Sequence, residues 1–138
     1  YPQGIFHTIP FDPRIAWNIQ NMGPLYIPRK GDKIHLDSMA YRLYRKMVEY
    51  ESGLKLREQD GKIYAGDSLT EYYTFQTNWY FMGGDKMWNS QDSRYIGLIP
   101  EEFLIGKAVL ILSSKDKDTG EYRWNRFFKR IKREQNNL

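Results

Sequence analysis

The sequence predicts a mainly β protein built from antiparallel strands, with one amphipathic helix around residues 38–52 and a short helix near the C-terminus. Three observations lead there. Short runs rich in aromatic and aliphatic residues recur between turn-forming residues. Only one stretch keeps a clean helical period. Hydrophobic residues make up 41% and aromatic residues 16% of the 138 positions, enough for a folded core and too much for a disordered chain. With no interdomain linker, repeat or low-complexity tract, residues 1–138 read as one domain.

Residues 1–30 hold five of the six prolines and little periodicity, and read as an extended arm or long loop. The helix follows. Ala40, Leu43, Tyr44, Met47 and Val48 fall at i, i+3, i+4, i+7 and i+8, while Arg42, Arg45, Lys46 and Glu49 take the opposite face. Asp37 or Ser38 supplies the N-cap and Gly53 the stop. Leu54–Arg57, Lys62–Ala65, Glu71–Gln76 and Trp79–Met82 read as strands, with Asp60-Gly61 turning the first pair. Pro100-Glu101-Glu102 opens a single helical turn, with proline first and acids near the positive end of its dipole. Phe103–Leu112 is the longest apolar run and is expected to be a buried central strand. Lys115–Gly120 is a polar hairpin loop.

The charge is local. Arg123, Arg126, Lys129, Arg130, Lys132 and Arg133 carry six of the 21 basic residues with no acid among them, so the rest of the chain is slightly acidic against 17 Asp and Glu. Trp124, Phe127, Phe128 and Ile131 interleave with those charges at near-helical spacing. Such a segment fits a last helix packing its aromatics on the domain, which is the preferred reading. It also fits contact with a membrane surface or, less well, a nucleic-acid patch. No apolar stretch reaches membrane-span length and no signal peptide is visible. Zero cysteines exclude a disulfide framework and thiolate metal sites. His7 and His35 lack ligand-spaced partners, so no metal is expected. The Gly83-Gly84-Asp85 turn is too short for a nucleotide-binding loop, and the four tryptophans read as packing residues.

The most informative stretch is Tyr80–Ala108. A glycine pair and an Asp85 turn precede Ser90, Asp92 and Arg94, spaced by two. In an extended segment those three side chains share one face, and the planar fork of Arg94 can hold the Asp92 carboxylate beside the Ser90 hydroxyl. Gly83 and Gly84 permit positive φ or a close backbone approach. Spacing alone favours a tight hairpin with a surface ion pair over a site.

The order of residues goes further. Gly84-Asp85, Asn89-Ser90, Asp92-Ser93-Arg94, Gly97, Ile99-Pro100 and Ile105-Gly106-Lys107-Ala108 fall in register with the last signature block of the type I signal peptidases, over nearly thirty positions. Gly23-Pro24-Leu25-Tyr26-Ile27-Pro28-Arg29-Lys30-Gly31-Asp32, Tyr73-Thr74-Phe75 and Arg123-Trp124-Asn125-Arg126 resemble the versions of Bacteroides-type bacteria. The chain departs from the pattern at Lys86-Met87, where the family has Asn-Arg.

The resemblance implies a membrane-bound serine endopeptidase of signal-peptidase-like β fold, with neither metal nor organic cofactor, acting on exported preproteins at the outer face of the cytoplasmic membrane. It assigns supporting roles at the active site to Ser90, Asp92, Arg94, Gly84 and Asp85. The family's nucleophilic serine, in a Ser-Met-x-Pro block, and its lysine base, in a Lys-Arg block, lie N-terminal to the matched region. The chain opens at Tyr1-Pro2, and is expected to be a piece cut downstream of both, inactive by itself. Ser38-Met39 mimics half of the serine block, but Ala40-Tyr41 follows where a proline turn belongs, so Ser38 is read as a helix start. The alternative class is a non-catalytic module of the same fold that holds a partner at the membrane; no nucleic-acid partner is expected.

Overall fold

A computed structural model describes residues 8–85 and 90–131. Tyr1-Pro2, His7, Lys86-Met87, Trp88, Asn89, Lys132 and Arg133 lie outside the described residues. The chain divides into two compact units, residues 1–103 and 104–138.

In the first unit the strands are short and antiparallel, as the turn spacing requires. Strand β1 (Lys33–His35) pairs with β5 (Tyr72–Thr74), and Gly31, Leu36 and Phe75 extend that ladder at both ends. Strands β2 (Leu56–Gln59), β3 (Lys62–Ala65) and β4 (Ser68–Leu69) form a meander. Asp60 and Gly61 both take positive φ at its first turn, where Asp and Gly suit the left-handed conformation. Strand β6 (Trp79–Tyr80) pairs with β7 (Ile99–Pro100).

The helix α1 spans Ser38–Ser52. Asp37 is its N-cap, accepting the Ala40 N–H at 2.8 Å, and Gly53 closes it in the left-handed conformation. Ser38 is therefore the first helical residue rather than the cap, and its hydroxyl donates to the Glu58 carboxylate. Ala40, Tyr44, Met47 and Val48 are buried, joining Leu36, Leu56, Ile63, Phe75, Trp79 and Leu98 in the core. Burying an aliphatic or aromatic side chain of this kind is worth roughly 1.5–3 kcal/mol. Residues 8–30 have no regular strand or helix but are tied down: the Tyr44 hydroxyl donates to the Tyr26 carbonyl at 3.0 Å, and Pro28 is fully buried.

Two expectations change in the second unit. Phe103–Leu112 is not a buried central strand. Phe103 ends a 3-10 turn that begins at Glu101, only Leu110–Ile111 (β8) is a strand, and Ile105 is fully exposed. Gly106 and Lys107 interrupt the apolar run, and none of residues 104–131 is buried, so hydrophobicity there marks an uncovered surface. Among the described residues the C-terminal helix is one 3-10 turn, Trp124–Arg126, after which Lys129–Arg130 (β9) pairs with β8. Near-helical spacing of the aromatics instead serves a cluster in which Trp124 and Phe127 stack at 4.8 Å and Tyr122 packs against both. The Lys115–Gly120 loop forms as expected. Asp116 accepts the Asp118 and Thr119 N–H groups, and a Lys115–Tyr122 bridge closes the loop.

Candidate active-site support

Strand β6 runs into the glycine pair, and Ile99–Pro100 returns beside it, so the chain between them must fold back over a short span. The turn back is made by α2 (Ser93–Ile96), a single helical turn with Asp92 as its N-cap. The extended reading of residues 90–94 is thus corrected. Asp92 and Arg94 meet because a cap carboxylate and the second residue of the helix adjoin, not because they share the face of a strand.

The Asp92 carboxylate takes four N–H groups. Arg94 donates from Nε to Oδ1 at 2.8 Å, from Nη2 to Oδ2 at 2.5 Å and from its backbone at 3.1 Å, and Gly84 donates its backbone N–H to Oδ2 at 2.9 Å. Asp92 and Arg94 are 6% and 8% exposed and Ser93 is 0%, so this is a buried pair and not a surface one. The Arg94 hydrogen bonds hold the Asp92 carboxyl well below the usual carboxylate range, with the Gly84 N–H acting the same way against the opposing effect of desolvation. Arg94 is shifted upward by the same contact.

Ser93 locks the node to the segment just after β6: its Oγ accepts the Met82 N–H at 2.9 Å and its backbone donates to the Met82 carbonyl at 3.0 Å. The arm is joined too, since Ile9 donates to the Arg94 carbonyl at 2.9 Å. Sequence reading passed over Ser93; the signal available was its place directly after a cap residue, where a small side chain can turn inward.

Gly84 is required by approach and not by φ. A Cβ there would stand 1.9 Å from Ser90 Oγ and 2.7 Å from Ser90 Cβ. Ser90 is half-buried against the glycine, and Asp85 is exposed. The structure therefore gathers Gly84, Ser90, Asp92 and Arg94, and leaves Asp85 at the rim.

A second carboxylate organises the same neighbourhood and was not anticipated. Glu51, at the end of α1, accepts from the Tyr73 hydroxyl and the Gln76 N–H, both at 2.8 Å, from the Thr77 N–H at 3.1 Å, and from Trp79 Nε1 at 2.8 Å. Burial, and then the Glu51 contact, push the Tyr73 phenol upward. Glu51 thereby fixes the loop that feeds β6 and the glycine pair. Three of its four helix neighbours within three positions, Glu49, Tyr50 and Ser52, are polar or aromatic, so nothing in the periodicity singles it out. No group of His, Cys, Asp and Glu among the described residues is arranged to hold a metal ion.

A protein-family model described as "Signal peptidase, peptidase S26" matches residues 23–113, about two thirds of the chain. A signal peptidase I of Haemophilus influenzae is 32% identical over 112 residues, covering 78% of this chain and 29% of that protein. A signal peptidase I of Buchnera aphidicola from Acyrthosiphon pisum is 54% identical over 43 residues, 31% of this chain and 14% of the relative. The Schizaphis graminum counterpart is 50% identical over 54 residues, 39% of this chain and 17% of its own length. The chain spans less than a third of the length of these curated relatives. No solved structure matches it.

Proposed function

Because the chain belongs to the signal peptidase family, peptidase S26, we propose that it forms part of the catalytic domain of a membrane-bound serine endopeptidase that removes signal peptides from exported preproteins. The observation that carries this reading is the Asp92 node. One carboxylate ties Gly84 at one end of the motif to Arg94 at the other, with Ser90 held beside the glycine. A frame of this kind is what a Ser/Lys site needs behind it. A serine hydroxyl becomes a nucleophile only when a base takes its proton, and a lysine can do so only if its surroundings keep it neutral. The Arg94 charge is neutralised by Asp92, so the frame places no net charge beside that site.

In this reading Ser90 offers a hydroxyl to the base, Asp92 and Arg94 brace the loop, and Gly84 and Asp85 shape its turn. The nucleophilic serine and the lysine base in this reading come from the Ser-Met-x-Pro and Lys-Arg blocks that the family carries N-terminal to the matched motif. No helix among the described residues is long and apolar enough to cross a membrane. We place the domain at the outer face of the cytoplasmic membrane, with the exposed Trp124, Phe128 and the neighbouring cations against the lipid surface. The reaction is peptide hydrolysis: the serine oxygen adds to the scissile carbonyl, the protonated lysine supplies the leaving amine with its proton, and water releases the acyl group.

The test is cleavage of a preprotein at its signal junction by the full-length protein. Ser90→Ala is expected to lower kcat by about 10–100-fold, on the scale of a lost group that orients a base, with KM little changed. Unaltered kcat in both Ser90→Ala and Asp92→Asn overturns the supporting role. Binding of preprotein with no cleavage by the unaltered protein favours the non-catalytic module.

A further inference from the structure

A groove of about 520 Å³ opens in the first unit along α1, with Ile9 and the Ile96-Gly97 end of α2 also in its lining. Its floor is apolar: Leu25, Leu43, Met47, Trp79, Leu98 and Phe103 line it. The volume lies within the range of small-ligand sites. Its charges are one-sided. Asp12 is the single acid in the lining, and it is paired with both Arg14 and Arg42; Arg42 also pairs with Glu58. Arg45 and Lys46, exposed on the same wall, have no carboxylate within ion-pair distance among the described residues. The Arg45 contact is instead the Tyr41 hydroxyl.

We propose that this groove binds an anionic lipid, its apolar chain on the floor and its phosphate headgroup against Arg45 and Lys46. Charge complementarity requires an anion at that wall, since two cations remain after the internal pairs are formed. The floor decides between a lipid chain and a peptide. A buried peptide brings N–H and C=O groups that need partners. The floor side chains offer none, because five are hydrocarbon or thioether and the one polar atom of Trp79 is committed to Glu51, while the Tyr50 and Tyr41 hydroxyls beside them donate to Glu102 and the Leu56 carbonyl. A hydrocarbon chain makes no such demand. None of Gly84, Asp85, Ser90, Asp92 and Arg94 lines the groove, and the inference does not rest on the peptidase reading.

The test is calorimetric titration of the chain with dodecyl phosphate below its micelle concentration. Dodecanol, inorganic phosphate and a peptide of alternating Glu and Leu serve as comparisons. Saturable one-to-one binding of dodecyl phosphate is expected, with neither dodecanol nor inorganic phosphate matching it. Arg45→Gln with Lys46→Gln should weaken it roughly five- to thirtyfold, the effect of removing two partly exposed ion pairs. Both side chains are exposed, so the double variant keeps its fold, which circular dichroism of α1 verifies. A tail variant with Arg123, Arg126, Lys129 and Arg130 each changed to Gln should bind as the parent does. Equal affinity in the Arg45/Lys46 variant, loss of binding confined to the tail variant, or tighter binding of the peptide than of dodecyl phosphate overturns the proposal.

Discussion

Asp92 accepts four N–H groups within a buried turn, so removing its charge leaves Arg94 and the Gly84 amide without their acceptor at once. An exposed pair would be worth roughly 0–1 kcal/mol, whereas breaking a buried one costs about 3–5 kcal/mol. We expect Asp92→Ala and Arg94→Ala each to lower unfolding free energy by at least about 2 kcal/mol in urea titration. Losses within error for both would return the pair to the surface. The sign with pH follows from the direction of the shift. Asp92 has a lower pKa folded than unfolded, so its contribution is complete above the ordinary carboxylate range and fades as pH falls below about 4. Asp12 and Asp116 shift the same way, Asp116 to about 2 through its contact with Arg123. The diagnostic is therefore the difference between parent and Asp92→Asn, which should shrink as pH drops from 5 to 2. Gly84→Ala is a second residue-scale test. Its Cβ collides with Ser90, and overpacking of this kind costs roughly 1–3 kcal/mol. Ser90→Ala removes the 1.9 Å contact but leaves the one at 2.7 Å, so the double variant should recover only part of the loss. The pairing partners here were legible in the spacing of Asp92 and Arg94, but the conformation was not. An i, i+2 pair fits both a strand face and a cap, and deciding between them required knowing that β7 turns back at Ile99.

At the scale of elements, α1 was readable almost to the residue, because a cap, a 3.6-residue apolar stripe and a terminal glycine all pointed the same way. Gly53 stands at φ 69° with open space around it, so Gly53→Ala pays only for the left-handed backbone and should cost about 1 kcal/mol. Asp37→Ala should cost a similar amount, roughly 0.5–2 kcal/mol, whereas Ser38→Ala should cost less, since its hydroxyl meets Glu58 and no backbone amide. A larger effect at Ser38 than at Asp37 in thermal melts would reverse that assignment. The small strands were less legible. Lys33–His35, Ser68–Leu69 and Ile99–Pro100 are two or three residues long, too short to show a period of two, and are set by partners remote in sequence. Glu51 was invisible for the same reason: its four donors come from Tyr73, Gln76, Thr77 and Trp79, which only the tertiary fold brings to the end of α1.

Across the whole molecule, apolar content misled where it was not matched by a surface to cover it. Leu104, Ile105, Val109, Leu110 and Leu112 are exposed, as are Tyr122, Trp124, Phe128 and Ile131, and the cations Arg123, Arg126, Lys129 and Arg130 lie among the last group. Exposed apolar residues on this scale mark an interaction surface. Aromatics with an apolar body suit the lipid interface, and the neighbouring cations attract anionic headgroups at about 1 kcal/mol each near the surface. If this segment meets a membrane, the chain should bind vesicles containing anionic lipid more tightly than neutral ones, and added salt should release it. Changing the four described cations to Gln should remove the preference for anionic lipid. Trp124→Ala and Phe128→Ala should weaken binding to both vesicle types alike, because burial of aromatic area is indifferent to headgroup charge. Equal partitioning of the unaltered chain to anionic and neutral vesicles, unaffected by salt, would show that the cations have no part in it and reject the electrostatic component of the membrane reading.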